Sequence, residues 1–235
     1  MAMMISKGIN NIDVDIPNDA YDIGNGMPTF RAYLIAIVRD STGKVIKVHK
    51  QRSHSPTANF IGFLLPITWY NISGASYKIT NTSGGTCSYK PALGMSYQNI
   101  SYPNNSYNVP TYFVMIQVGS GSNSNPFSAT QLAAPISSGT GSGQLAYGPF
   151  SLPTAIATNG NSTYVYISQT YSNTSGATIN ITEVGIIVYI QTVQAGGGGT
   201  TNCGQVLLWY DVLSSPISVP NNGSVTIYYT FIVNP

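Results

Sequence analysis

Apolar and polar residues along this chain fall into short alternating or clustered runs that have the length and composition of β-strands. Residues 31–39 (RAYLIAIVR) are rich in β-branched and apolar side chains, Asp40-Ser41-Thr42-Gly43 supplies turn chemistry, and residues 44–49 (KVIKVH) alternate apolar with basic. Together they predict a β-hairpin. Further strands are predicted at residues 112–118 (YFVMIQV), 163–170 (TYVYISQT), 177–191 (ATINITEVGIIVYIQ), 206–213 (VLLWYDVL) and 225–233 (VTIYYTFIV). The Gly/Ser/Asn loop 119–126 and a Pro/Gly-punctuated stretch running to Leu152 separate the earlier ones. Gly196 to Gly199 read as a hairpin tip, because glycine offers backbone freedom and no side chain to pack. Short strands with turn signals between them argue for an all-β fold, an antiparallel β-sandwich of jelly-roll-like kind, rather than a parallel α/β sheet.

One helix is predicted, near residues 55–66, with Ser55 as cap, Pro56 at the first helical position and Pro66 closing it. Residues 1–30 lack sustained periodicity and read as an extended N-terminal arm. Residues 31–235 then form the sandwich body. Within it, residues 70–111 make a long Tyr/Asn/Ser-rich excursion with room for a small hairpin. Its tyrosines suit stacking and hydrogen bonding to sugars or to neighbouring subunits.

Charge changes this picture. Only 7% of the 235 residues are Asp, Glu, Lys or Arg, against about 25% in an ordinary globular domain. With 43% hydrophobic content, 17 Tyr and a net charge of +2, the chain has the composition of a folded protein and not of a disordered one. The charges are also segregated. Twelve of the 16 lie in residues 1–52, and residues 91–182 carry no Asp, Glu, Lys, Arg or His at all. A body with so few carboxylates offers little for acid to protonate, so it is expected to face an acidic or otherwise harsh exterior. Arg39, Lys44, Lys47, Lys50 and Arg52 cluster around the first hairpin as candidate contacts to an inner partner; a solvated strand face is the plainer account of the same residues. So few charges give weak phosphate affinity, which argues against nucleic acid.

The sequence offers little for catalysis. A hydrolase triad needs a histidine beside a nucleophile and an acid, yet His49 and His54 are the only histidines and sit in the basic region with no acid locally paired. Cys87, Cys203, Glu183 and Asp211 lack clustered metal-ligand spacing. The Gly-rich loops at residues 119–126 and 139–143 lack the Lys-Ser/Thr of a phosphate-binding loop. Glu183 and Asp211, lone acids in adjacent late strands, are expected to serve the structure. The chain is therefore read as a non-enzyme, with no catalytic, cofactor or metal residues assigned.

Cys87 and Cys203 either close one long disulfide loop in an oxidising setting or remain two buried thiols. Eight Asn-x-Ser/Thr acceptor sequences, at Asn71, Asn81, Asn99, Asn104, Asn161, Asn173, Asn180 and Asn222, all follow residue 52. No apolar stretch approaches the roughly 20 residues of a spanning helix, and the start has no signal-peptide core. A body built for the exterior without an export signal fits a virion protein assembled in the host cytoplasm.

Several segments, read together, carry a resemblance: the hairpin RAYLIAIVRDSTGKVIKV with SPTANFIGFLLPI, then YFVMIQVGSGSNSN, LAAPISSGTGSGQLAYGPF, NTSGATINITEVGIIVYI and LLWYDVLSSPISVPNNGSVTIYYTFIV. The chain from Arg31 onward resembles β-rich tail and minor structural proteins of tailed phages and of viruses of thermophilic archaea. Its charge-poor body is also similar in style to virion and cell-surface proteins of thermoacidophilic archaea, tail components of spindle-shaped, fusellovirus-like viruses among them, and a ring-forming tail nozzle is the station expected within that group. The resemblance implies a β-rich fold and a virion location; a homo-oligomeric ring and contacts to other virion proteins such as an adaptor, capsid or tailspike are expected alongside it. It carries no catalytic or ligand residue. Two other expectations stay open: a host-attachment protein whose loops bind a surface glycan, and an extracellular pilus or surface-layer subunit.

Overall fold

The computed structural model describes residues 29–53, 56–60, 77–89, 114–151, 157–159, 162–193 and 200–234. The first hairpin forms β1 (Thr29–Arg39) and β2 (Val45–Ser53). After it come β3 (Tyr77–Thr80), β4 (Thr86–Tyr89), β5 (Val114–Gly119), β6 (Ala146–Ser151), β7 (Ala157–Asn159), β8 (Ser162–Ser172), β9 (Ile179–Val193), β10 (Thr200–Val219) and β11 (Ser224–Asn234). These strands pair antiparallel throughout. One sheet has the order β2-β1-β11-β8-β6, with β7 also on β8; a second has the order β10-β9-β5; β3 and β4 make a separate hairpin. The fold is an all-β sandwich of antiparallel sheets.

The main core lies between the two larger sheets. Ala32, Leu34, Ala36 and Val38 of β1 and Val225, Ile227 and Tyr229 of β11 meet Ile181, Val184, Leu207, Trp209 and Ile217 from the facing sheet. Each large aliphatic side chain buried here contributes roughly 1.5–3 kcal/mol relative to exposure. The alternate residues of β1, Tyr33, Ile35 and Ile37, are buried on the opposite face with Tyr228 and Ile232. A strand buried on both faces reads as a continuous apolar run, which is why residues 32–38 show no polar alternation.

β5 is an edge strand, and its unpaired backbone is satisfied from across the core. Gln169 and Tyr171 of β8 reach over: Ile116 N–H donates to Gln169 Oε1 at 2.9 Å, and Tyr171 Oη donates to Ile116 O at 2.5 Å. Tyr147 Oη donates to Ile136 O at 2.8 Å in the loop that follows β5. Buried backbone groups need such partners, and here tyrosine and glutamine supply them in place of a further strand.

Two sequence expectations shift. Helical conformation starts at residue 58, inside the predicted 55–66, but Pro56 is not its first residue. Pro56 instead bridges Trp209, and Thr57 N–H donates to Leu208 O at 2.9 Å. Those bonds to β10 hold the stretch extended before the helix begins. β10 is also far longer than the predicted 206–213, because it crosses Pro216 through an irregularity between Val212 and Ile217. Within the 70–111 excursion, β3 and β4 supply the small hairpin; residues 70–76 and 90–111 lie outside the described residues, as do the arm up to residue 28 and the tip at 196–199.

Candidate functional site

The first hairpin is shaped by its turn. Asp40 Oδ1 accepts from Thr42 N–H at 2.9 Å, Thr42 Oγ1 at 2.6 Å and Lys44 N–H at 3.0 Å. The Thr42 hydroxyl, above all, holds the Asp40 carboxyl below its ordinary range. From that turn β2 runs as the outer edge of its sheet, and the pleat sends successive side chains to opposite faces.

One face of β2 is stitched to β10. Lys47 Nζ donates to Pro216 O at 2.9 Å, Gln51 Nε2 donates to Val212 O at 3.1 Å, and Ser214 N–H donates to Gln51 Oε1 at 2.9 Å. His49 is buried in this seam, with Nε2 3.0 Å from Gln51 Oε1 and Nδ1 3.4 Å from Ser215 Oγ. The bonds Gln51 makes to the backbone fix its oxygen toward His49, so Nε2 carries the proton. The histidine is thereby committed to closing the sandwich, and no carboxylate is among these partners. His54 lies outside the described residues.

The other face of β2 carries Ile46, Val48, Lys50 and Arg52, and Arg39 joins it at the end of β1. Ile46 is 51% and Val48 41% exposed. Arg39 acts on the Tyr228 phenol there, opposing the upward shift that burial imposes. The five basic candidates therefore gather at one edge but not on one surface: Lys44 sits in the turn, Lys47 leans to β10, and Arg39, Lys50 and Arg52 share the outer face. Interspersed charge of this kind also blunts an exposed strand edge against pairing with other chains.

The two late acids are structural anchors, held apart in separate networks. Glu183 is fully buried and accepts from Gly121 N–H at 3.1 Å, Ala133 N–H at 2.9 Å, Ala134 N–H at 2.7 Å and Tyr210 Oη at 2.5 Å. It thus folds two loop segments onto β9. Asp211, 2% exposed, accepts from Ser53 Oγ at 2.5 Å and from Tyr229 Oη at 2.9 Å, while Trp209 Nε1 donates to Ser53 Oγ. Among the described residues, no three His, Cys, Asp or Glu side chains come together as a metal-binding group.

The hairpin β3–β4 is fastened to the start of β10. Cys203 is buried and disulfide-bonded, and Cys87, in β4, is the one other cysteine of the sequence. Asn59 acts as a strand substitute beside it, donating to Thr80 O and accepting from Thr80 N–H, both at 2.9 Å.

A repeated turn escaped the sequence reading. Residues 81–84 and 173–176 both read Asn-Thr-Ser-Gly. In each, the Asn Oδ1 accepts the Ser N–H at 3.1 Å and the glycine takes a positive φ, 81° at Gly84 and 89° at Gly176. In each, the Asn Nδ2 donates to β10: to Cys203 O at 3.0 Å from Asn81, and to Val219 O at 2.8 Å from Asn173. Asn173 is fully buried, and its amide also donates to Ala177 O at 2.8 Å, so its nitrogen is engaged twice by the folded chain itself. Asn180 and Asn222 are exposed, whereas Asn71, Asn99, Asn104 and Asn161 lie outside the described residues. The recurrence of N-T-S-G was the available signal, since an Asn followed by Gly three positions on favours an Asx turn.

Comparison with known proteins finds no matching family model, no matching curated protein and no matching solved structure.

Proposed function

We propose that this chain is a non-enzymatic virion structural protein, an oligomeric tail or nozzle component of a virus infecting a thermoacidophilic archaeon. It docks inward through its charged N-terminal part and stands outward with its charge-poor body. The observation that supports this reading is where the charge sits on the fold. Apart from Lys78 in β3 and the buried Glu183 and Asp211, every charged residue of the described body lies on β1, its turn or β2. The rest of the described surface presents Ser, Thr, Asn, Gly and Tyr, whose ionisation acid does not change.

Assembly into a ring is the mechanism. A closed ring repeats one weak contact at every subunit and so multiplies it. Electron microscopy of purified particles tests the reading: density for this chain in a ring at one end of the particle is expected. Selective glycan binding by a chain that never enters particles would overturn it in favour of an attachment or surface-layer role.

A further inference from the structure

β2 is the edge of the six-stranded sheet, and among the described strands it pairs with β1 alone. Lys47, His49 and Gln51 turn toward β10 and close the sandwich. Ile46 and Val48 stay 51% and 41% exposed, and Lys44, Lys50 and Arg52 to either side of them are exposed as well. Charge on an edge strand turns away indiscriminate pairing. Here an apolar pair is left in water at the centre of that charge.

The surface around the pair has one sign. Five of the nine cations of the chain, Arg39, Lys44, Lys47, Lys50 and Arg52, lie on or beside β2. Asp40, the acid nearest to them in sequence, has its carboxylate taken up by the Thr42 and Lys44 donors of its own turn. Glu183 and Asp211, the other acids among the described residues, are buried. The described surface of a second copy therefore sets cations against cations at this edge. A phosphate backbone would meet the charges but not the apolar pair, and so few cations hold it weakly.

We infer that β2 receives an extended acidic segment of a partner protein, added to the sheet as a further strand. The inference rests on the inward docking proposed above and names the chemistry of its partner. Apolar side chains of the segment meet Ile46 and Val48, and carboxylates before and after them meet Lys44 and Arg52. Main-chain bonds along the edge supply affinity, while the flanking carboxylates set register and exclude neutral or basic strands.

Fluorescence anisotropy with the full chain and a labelled peptide, Glu-Thr-Glu-Thr-Val-Thr-Val-Thr-Glu, tests it. This peptide is expected to bind about tenfold tighter than the same residues in scrambled order, and to weaken as salt rises from about 0.05 to about 0.5 M. A full-chain variant with Lys44→Glu and Arg52→Glu should lose that binding and take up instead the peptide with Lys in place of each Glu. Equal binding of the ordered and scrambled peptides, binding of neither, or a folded variant that keeps the acidic peptide would overturn the inference. Tighter binding of oligothymidylate than of the peptide would overturn it in favour of nucleic acid. Particles that lack this chain would end the virion reading and leave the peptide result standing; particles that carry it, with no peptide bound, would do the reverse.

Discussion

Tyr229 of β11 donates its hydroxyl to Oδ2 of Asp211 in β10 at 2.9 Å, and this bond runs between the two sheets of the sandwich. Ser53 meets the same oxygen from the edge strand β2. A single buried carboxylate thus ties three strands from two layers. Replacing it by Asp211→Ala leaves the Ser53 and Tyr229 hydroxyls without their acceptor in a dry site. Loss of about 3 kcal/mol is expected, visible as a lower denaturant midpoint in urea.

Alkali, not acid, should be the weak direction of this fold. Burial raises the phenols of Tyr147, Tyr171, Tyr210 and Tyr229 above their ordinary 10.0, and the neighbouring Glu183 and Asp211 carboxylates raise Tyr210 and Tyr229 further. The folded state therefore holds these protons more tightly than the unfolded chain. The stability they confer is complete below pH 10 and falls as pH climbs from there toward the folded values. Tyrosinate absorbance should accordingly show these four ionising together with cooperative unfolding, after the exposed tyrosines have titrated smoothly. Independent ionisation of all tyrosines near pH 10 with the fold intact would contradict this.

Gly119 leaves no space for a side chain. A Cβ there would stand 2.3 Å from Glu183 Oε1 and 2.7 Å from Ala134 O. Gly119→Ala must displace the carboxylate that gathers the 121 and 133–134 amides. A cost of about 2–3 kcal/mol is expected, measured by thermal or urea unfolding against the parent chain.

Reduction should loosen the β3–β4 hairpin and the whole fold together. With Cys87 the one other cysteine, the intact disulfide at Cys203 closes a loop of more than 100 residues in the unfolded chain, and that constraint is worth roughly 4–5 kcal/mol in chain entropy, which reduction removes. Unfolding in urea with and without reductant measures the difference.

Asn173→Ala should cost roughly 2–3 kcal/mol, because the Ala177 and Val219 carbonyls and the Ser175 amide all lose a buried partner. Expression in a glycosylating host should leave Asn173 unmodified by mass spectrometry of the intact peptide.

The strands that sequence made legible are those whose neighbours are apolar on at least one face. β1, β8, β9 and β11 carry Ile, Val and Tyr runs that admit few other readings. β6 and β7 stayed hidden because AYGPFS and ATN contain a Gly, a Pro or mostly small polar residues, and their pairing is decided by β8. The structural role of Glu183 and Asp211 was legible from their isolation, but their partners were not. Tyr210, Ser53 and Tyr229 find them through sheet packing that no local spacing encodes. The basic hairpin was visible as a cluster, and only the pleat of β2 shows that it divides between two faces.

The pairing of β1 with β11 along eleven positions sets a schedule on the protein's birth. β1 leaves the ribosome early, apolar on both faces, and its partner from Thr29↔Asn234 to Arg39↔Ser224 does not yet exist. At about 5–20 residues per second, synthesis needs on the order of ten seconds or more to reach β11. Through that interval β2 is the one described strand available to pair with β1, so the main sheet closes after translation, and a prematurely terminated chain is left with a sticky hairpin that quality control can recognise.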